Sequence, residues 1–356
     1  AIYLEWAVKI ANSLSSHITA GDENNSPMPF KVNAFTGETG ILKDYATGKI
    51  TGSSSYTTNY SGTLELLQGL ISLQAGDTLR YRKAFDTLLQ WMKTYPLRNM
   101  KWGPFFEDIT GWSDTQINAV TFAQYIMNHP DYFPDWQTDV KRIFNWVYTN
   151  LGNTAWKKYG VTVINEQTAY DVPGNSHSAR QAAAELQYAS ITGDTGFTKN
   201  AIRQLNWATY MVAADGRNQY YNDENWLTDG YGDYVRHYLR AMRFRPALAP
   251  ATEDHILSSS GMIQQADYAP VFNKFIQKDF WRVPENKVLL YYRCFEQSGV
   301  ETIRLRKEPS AVLVNDKPLS KSTGNTTAGY SWQPIGTNGS GLLEVRRNGQ
   351  AVLVLK

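Results

Sequence analysis

One cysteine, Cys294, is all the thiol chemistry this chain carries. That excludes an intramolecular disulfide framework and any CxxC metal site. No apolar run approaches the ~20 residues that a membrane-spanning helix needs. Neither sign of charge dominates: 35 basic and 33 acidic residues leave a formal +2. Such a balance gives no electrostatic basis for binding nucleic acid or an anionic membrane. The five histidines, His17, His129, His177, His237 and His255, include no pair at metal-ligand spacing. There is no GxGxxG behind a strand, no Walker GxxxxGKS/T, no HExxH and no GxSxG elbow. The common nucleotide, metalloprotease and α/β-hydrolase chemistries therefore have no signature here, and no cofactor or metal is expected.

Aromatic rings are plentiful, with 11 Trp and 22 Tyr among 356 residues. They serve either a large core or a surface on which sugars stack. The length exceeds what one core comfortably fills, so a large and a small domain are expected. The sequence begins at Ala1 within a helical segment, Ile2 to Val8, without an initiator Met. A removed signal peptide or a trimmed chain would each explain that start, and a secreted or periplasmic location is the expectation.

The chain also has a rhythm of turns. Leu64, Leu67, Leu70 and Ile71 recur at helical spacing, and Gly76-Asp77 stops them. Tyr81, Phe85, Leu88, Leu89 and Met92 follow as a second stripe. The unit recurs over 115–150 around His129-Pro130 and over 175–213 around Gly193-Asp194. In the last unit Ala182, Leu186 and Ala189 form the first stripe. The period is about 55–60 residues, which marks a repeat of helix hairpins that must stack to bury their apolar faces. Short turns alternate with long connections over 17–61, 96–114, 152–174 and 214–229. If the helices run up and down, all long loops fall at one end, and that end is where a site is expected.

After residue 245 the pattern changes. Residues 246–284 hold four prolines and read as a connector. Residues 285–356 alternate as strands, with Asn348-Gly349 as the strongest hairpin signal and a second turn at Asn315 to Pro318. The expectation is mainly α: an α/α-hairpin toroid over 1–245, closed or incomplete, followed by a small antiparallel β-sandwich.

Three loops carry candidate chemistry. Residues 101–114 set Asp108 and Asp114 among Trp102 and Trp112. Rings that exclude water raise the pKa of a neighbouring acid, as glycosidic chemistry requires; the structural alternative makes Asp114 a helix N-cap. Residues 165–180 hold Asp171, Asn175, His177 and Arg180. With a helix beginning near Ser176, His177 and Arg180 share a face; the histidine can move a proton and the arginine can grip a carboxylate. Alternatively, Asn175 or Ser176 is only an N-cap and His177 a surface residue. Residues 215–234 hold Trp226, Asp229, Tyr231 and Tyr234, with His237 and Tyr238 following at helical spacing.

The hairpin rhythm, the aromatic and acidic loops and the terminal β segment together resemble the broad class of α/α-toroid carbohydrate-active proteins. This class comprises the six-hairpin glycosidases and the toroid polysaccharide lyases. The resemblance spans roughly residues 1–245, where about eight helices are legible against twelve in a complete six-hairpin ring. It implies an oligo- or polysaccharide partner, with glycoside hydrolysis as the first expectation and two alternatives beside it. A glycoside hydrolase would use two carboxylates from Asp108, Asp229 and Asp171. A polysaccharide lyase would use Asn175, His177, Arg180 and Tyr234 on a uronate. A non-catalytic glycan binder would use Trp102, Trp112, Trp226 and Tyr231 as stacking surfaces.

Overall fold

A computed structural model of the protein describes residues 2–29, 31–32, 36, 38–40, 56–105, 112–212, 233–248, 254–268, 280, 287–322, 328–335 and 339–356. The expectations placed on Asp108, Trp226, Asp229 and Tyr231 lie outside the described residues. The chain divides into two compact units, Ala1–Pro246 and Ala247–Lys356.

The first unit is helical. Its described helices are α1 (Ile2–Ser16), α2 (Ser61–Ser72), α3 (Thr78–Thr94), α4 (Pro96–Asn99), α5 (Gln116–Asn128), α6 (Trp136–Leu151), α7 (Asn175–Thr192), α8 (Thr198–Tyr210) and α9 (Asp233–Phe244). They pair as the hairpins α2/α3, α5/α6 and α7/α8. Local chemistry closes each short turn. Asp77 caps α3 by accepting from the Arg80 amide at 3.1 Å. Gly76 before it has φ +76°, and a Cβ there would lie 2.5 Å from the Tyr81 hydroxyl, so only glycine fits. The predicted stripe Tyr81, Phe85, Leu88, Leu89 and Met92 is buried, as is Leu64, Leu67 and Leu70 of α2. At the ends of these hairpins, His129 Nε2 lies 2.8 Å from Glu65 and Lys141 Nζ 2.6 Å from Asp194.

Helix α7 departs from the one-sided pattern. The sequence predicts a single apolar stripe, yet every residue from Asn175 to Tyr188 is buried. It packs against α5, α8 and α9. A helix enclosed on all sides is usually apolar all round. This one encloses Asn175, Ser176, His177, Ser178, Arg180, Gln181, Glu185 and Gln187. Glu185 accepts from Gln181 Nε2 at 2.8 Å, and burial pushes its carboxyl up to about 8, with the Tyr148 and Gln181 side chains opposing. Asn200 Nδ2 in turn donates to the Tyr148 hydroxyl at 2.9 Å.

Two short antiparallel pieces interrupt the helices. One pairs β1 (Lys31–Val32) with β2 (Thr39–Gly40). The other joins β3 (Gly152–Asn153), β4 (Val163–Gln167) and β5 (Tyr170–Pro173), so the long 152–174 connection is a small sheet leading directly into α7.

The second unit contains β6 (His255–Ser259), β7 (Ile263–Tyr268), β8 (Val288–Cys294), β9 (Ser298–Leu305), β10 (Ala311–Val314), β11 (Lys317–Pro318), β12 (Gly329–Pro334), β13 (Gly341–Asn348) and β14 (Ala351–Leu355). They form two antiparallel sheets, ordered β11-β10-β14-β8-β7 and β12-β13-β9-β6. Leu290, Tyr292, Val312 and Val352 from the first sheet share one apolar cluster with Ile303, Leu343 and Val345 from the second. Two expectations are corrected here. Residues 246–284 are not merely a connector: β6 pairs with β9 and β7 with β8. Asn348-Gly349 is not a hairpin turn: β13 pairs with β9 and β12, while β14 pairs with β8 and β10, so the turn carries the chain from one sheet to the other. The crossing is held by buried charge. Arg347 Nε lies 3.0 and 3.1 Å from the two Glu301 carboxylate oxygens, and its Nη1 donates to the Gly349 carbonyl at 3.0 Å. The Asn315 turn does behave as predicted, with φ +47° at Asn315 and +63° at Asp316 joining β10 to β11.

Candidate functional site at the start of helix seven

Three long connections gather into one surface. Thr57 Oγ1 donates to the Pro104 carbonyl at 3.1 Å and Thr58 Oγ1 to that of Trp102 at 2.6 Å. The Thr168 amide donates to the Asp114 carbonyl at 3.0 Å, the Asp114 amide to Thr168 Oγ1 at 2.9 Å, and Ser113 Oγ to Gln167 Oε1 at 2.8 Å. Residues 56–60, 101–105 and 112–115 and the β4–β5 turn are thereby tied together.

Asp114 is neither an acid poised for chemistry nor the N-cap of α5. Its Oδ1 accepts from the Trp102 and Gly103 amides at 2.6 and 2.8 Å, and its Oδ2 from Trp112 Nε1 at 3.1 Å. Thr115 holds the cap position. Trp102, expected on the sugar-facing surface, is fully buried between Phe122 and Trp146. A ring with no exposed face cannot stack on a sugar. Trp112 is 45% exposed and is fixed in place. Its ring lies 5.4 Å from that of Tyr56, and Lys101 Nζ stands 4.6 Å from both ring centroids. Asp171 is exposed on β5 and accepts from Asn165 Nδ2.

The first turn of α7 is the most unusual chemistry among the described residues. Gly174, not Asn175 or Ser176, is the N-cap. A Cβ on Gly174 would lie 2.4 Å from His177 Nδ1, so glycine is required by the close approach of that ring. Gly174→Ala is expected to lower stability by about 1–3 kcal/mol through overpacking. A thermal melt checks this; an unchanged midpoint would mean that the His177 ring has room to move aside.

His177 is buried rather than on the surface. Neither of its ring nitrogens has a hydrogen-bond partner, nor does Asn175 Nδ2. Leaving such groups dry and unpaired costs about 1–3 kcal/mol each, so a cluster of them calls for an explanation. Burial holds the His177 imidazole well below its ordinary value, and the Arg180 and Arg236 guanidinium groups add to the effect. His237 of α9 is pushed down to about 2, by burial first and then by Arg180, Arg236, His177 and Arg240. Its Nε2 is likewise unpartnered. Gln116 of α5 orders the group: its Oε1 accepts from Arg180 Nη1 at 2.9 Å and its Nε2 donates to the His177 carbonyl at 3.1 Å. Arg240 Nη2 donates to Gln187 Oε1 at 3.2 Å. Tyr234, half-buried, opens the same helix α9.

Three arginines and two neutral histidines thus converge where α7 meets α9. A carboxylate or similar anion fits such a place, since it supplies acceptors for the unpartnered donors of the His177 and Asn175 side chains. The sequence pointed to Asn175, His177, Arg180 and Tyr234 but missed Gln116, Arg236 and Arg240. The available signal was the spacing of Arg236, His237 and Arg240 on one helix. Among the described residues no group of three or more His, Cys, Asp or Glu side chains is placed to hold a metal, and no helix is long and apolar enough to cross a membrane.

No family model matches the chain, and no curated protein matches it. Among solved structures, it is similar to an unsaturated glucuronyl hydrolase, a UGL variant with the saccharide dGlcA-Glc-Rha-Glc. The TM-score is 0.41 at 14% identity, over 68% of this chain and 68% of that one.

Proposed function

We propose that this protein is a carbohydrate-active enzyme that takes an acidic saccharide at the start of α7 and cleaves it by elimination. One observation carries the reading: the unpartnered nitrogens of buried His177 and Asn175 lie in a group shared with Arg180 and Arg236. In this reading Arg180 and Asn175 bind the uronate carboxylate and draw charge from C5. Neutral His177 accepts the C5 proton, the C4–O bond breaks, Tyr234 protonates the departing oxygen, and a C4–C5 double bond forms. Paired-carboxylate hydrolysis is the second possibility for the same loops, through Asp108 and Asp229 with Asp171 as substitute. Of these three only Asp171 is described, and its carboxylate is engaged by Asn165. A secreted or periplasmic setting belongs to the same proposal, since polymeric glycans are met outside the cytoplasm.

The test is to incubate the protein with a panel of uronate polymers and neutral polysaccharides. Elimination is expected to give near-ultraviolet absorbance from the new double bond together with new reducing ends. Reducing ends without absorbance would replace elimination by hydrolysis. No product from any polymer, with binding retained, would leave a glycan-binding protein. Trp112→Ala is expected to raise KM roughly 3- to 10-fold with little change in kcat, through loss of one stacking face. A fall in kcat alone would remove Trp112 from substrate binding.

A further inference from the structure

A cavity lies between α3, α4 and the start of α6. Its volume is about 330 Å3, near the ~300 Å3 at which small-molecule pockets begin. No residue of α7 or α9 lines it. Leu97 and Phe133, both buried, form its apolar floor. Lys93, Arg98 and Arg142 bring three cations, and Asp135 and Asp139 two carboxylates.

These charges are unequally engaged. Arg142 Nη1 lies 3.5 Å from Asp139 Oδ1, and its Nη2 donates to the Arg98 carbonyl at 3.3 Å. Lys93 Nζ stands 5.7 Å from the Phe133 ring centroid. Among the described residues neither Lys93 nor Arg98 forms a short ion pair, and Lys93 acts on Asp139 only through space, so both cations remain available to an anion while the two aspartates offer acceptors for hydroxyl groups. The Phe133 ring is covered, so an apolar ligand has no open face on which to stack. A dianion such as phosphate would satisfy Lys93 and Arg98 but would face Asp135 and Asp139 across a small space.

We infer that this cavity binds a small monocarboxylate carrying several hydroxyls, of the size of a free hexuronate. The acid would be held by Lys93 and Arg98, and the hydroxyls by Asp135, Asp139, Gln90 and Thr94. The inference does not depend on the α7 reading.

The experiment is calorimetric titration of the full chain at low salt with glucuronate, glucose and inorganic phosphate. Glucuronate is expected to show a binding event that the Lys93→Gln/Arg98→Gln variant weakens about tenfold or more. The same event is expected to persist unchanged in His177→Ala. Persistence in Lys93→Gln/Arg98→Gln, or loss in His177→Ala, would overturn the assignment to this cavity. Equal binding of glucose or phosphate would overturn the ligand class. Lys93 is half-buried and Arg98 exposed, whereas His177 is buried, and unchanged melting midpoints establish that each variant is folded.

Discussion

His177→Ala is expected to reduce kcat on an acidic polysaccharide by roughly 10²–10⁴-fold, the usual contribution of a positioned proton acceptor. KM should change far less, because in the proposed reading Arg180 and Asn175, not His177, hold the carboxylate. The assay is absorbance growth at saturating substrate, with product chain length as a second readout. The pH profile separates proton transfer from simple packing. Burial and two neighbouring guanidinium groups keep this imidazole neutral well below pH 6.5. The free protein should therefore show no loss of kcat/KM through His177 protonation near neutrality. An acid limb centred near pH 6.5 that disappears in His177→Ala would contradict the buried, cation-flanked geometry. Wild-type turnover in His177→Ala would remove the residue from the chemistry and with it the main support for elimination.

The second large effect is on stability. The Glu185 carboxyl is held up to about 8 against an ordinary 4.5, by burial first. The unfolded chain loses this proton near pH 4.5, and the folded protein keeps it until about pH 8. Below pH 4.5 both states are protonated, and the group exacts no pH-dependent penalty. Between 4.5 and 8 the folded state binds more protons, so stability falls as pH rises. Above 8 the charge is forced into the interior and the loss is complete. Glu185→Gln keeps the shape and removes the titration. Its stability should be nearly flat across this window and should exceed wild type at pH 8–9 by an amount on the order of 4 kcal/mol. Denaturant unfolding at pH 4, 6, 8 and 9 measures it. Parallel curves for the two proteins would show that Glu185 is not a neutral buried acid. Glu185 lies two turns beyond His177 on α7, so the interior that strains the histidine also keeps this acid protonated.

What could be read in advance follows from how local each determinant is. Tyr81, Phe85, Leu88, Leu89 and Met92 recur at helical spacing because one side of α3 meets the core, and that periodicity survives any arrangement of neighbours. Gly76 acts through its own backbone and Asp77 through its side chain on the next turn. The same is true of Asn315 and Asp316, whose positive φ values suit a tight turn between paired strands. Asn348-Gly349 carries an equally strong local signal and still failed as a hairpin. The preferences of two turn residues are worth less than the ladders β13 and β14 form in different sheets, with Arg347 and Glu301 beneath the crossing. Trp102 and Trp112 are chemically identical ten residues apart in one loop. Only packing against Phe122 and Trp146 hides the first and leaves the second exposed.

The sequence by itself determined the helix hairpins, the change to strands after residue 245 and the loops in which polar chemistry concentrates. Each of these depends on spacing and residue type over a few turns of chain. The tertiary structure decided which of those residues meet. It enclosed α7 on every side, so His177 became a buried, neutral imidazole instead of a surface residue and Glu185 a protonated acid. It brought Arg236, His237 and Arg240 of α9 to Arg180 across more than fifty residues of chain. Burial and charge convergence are sums over neighbours distant in sequence, and no local pattern encodes them.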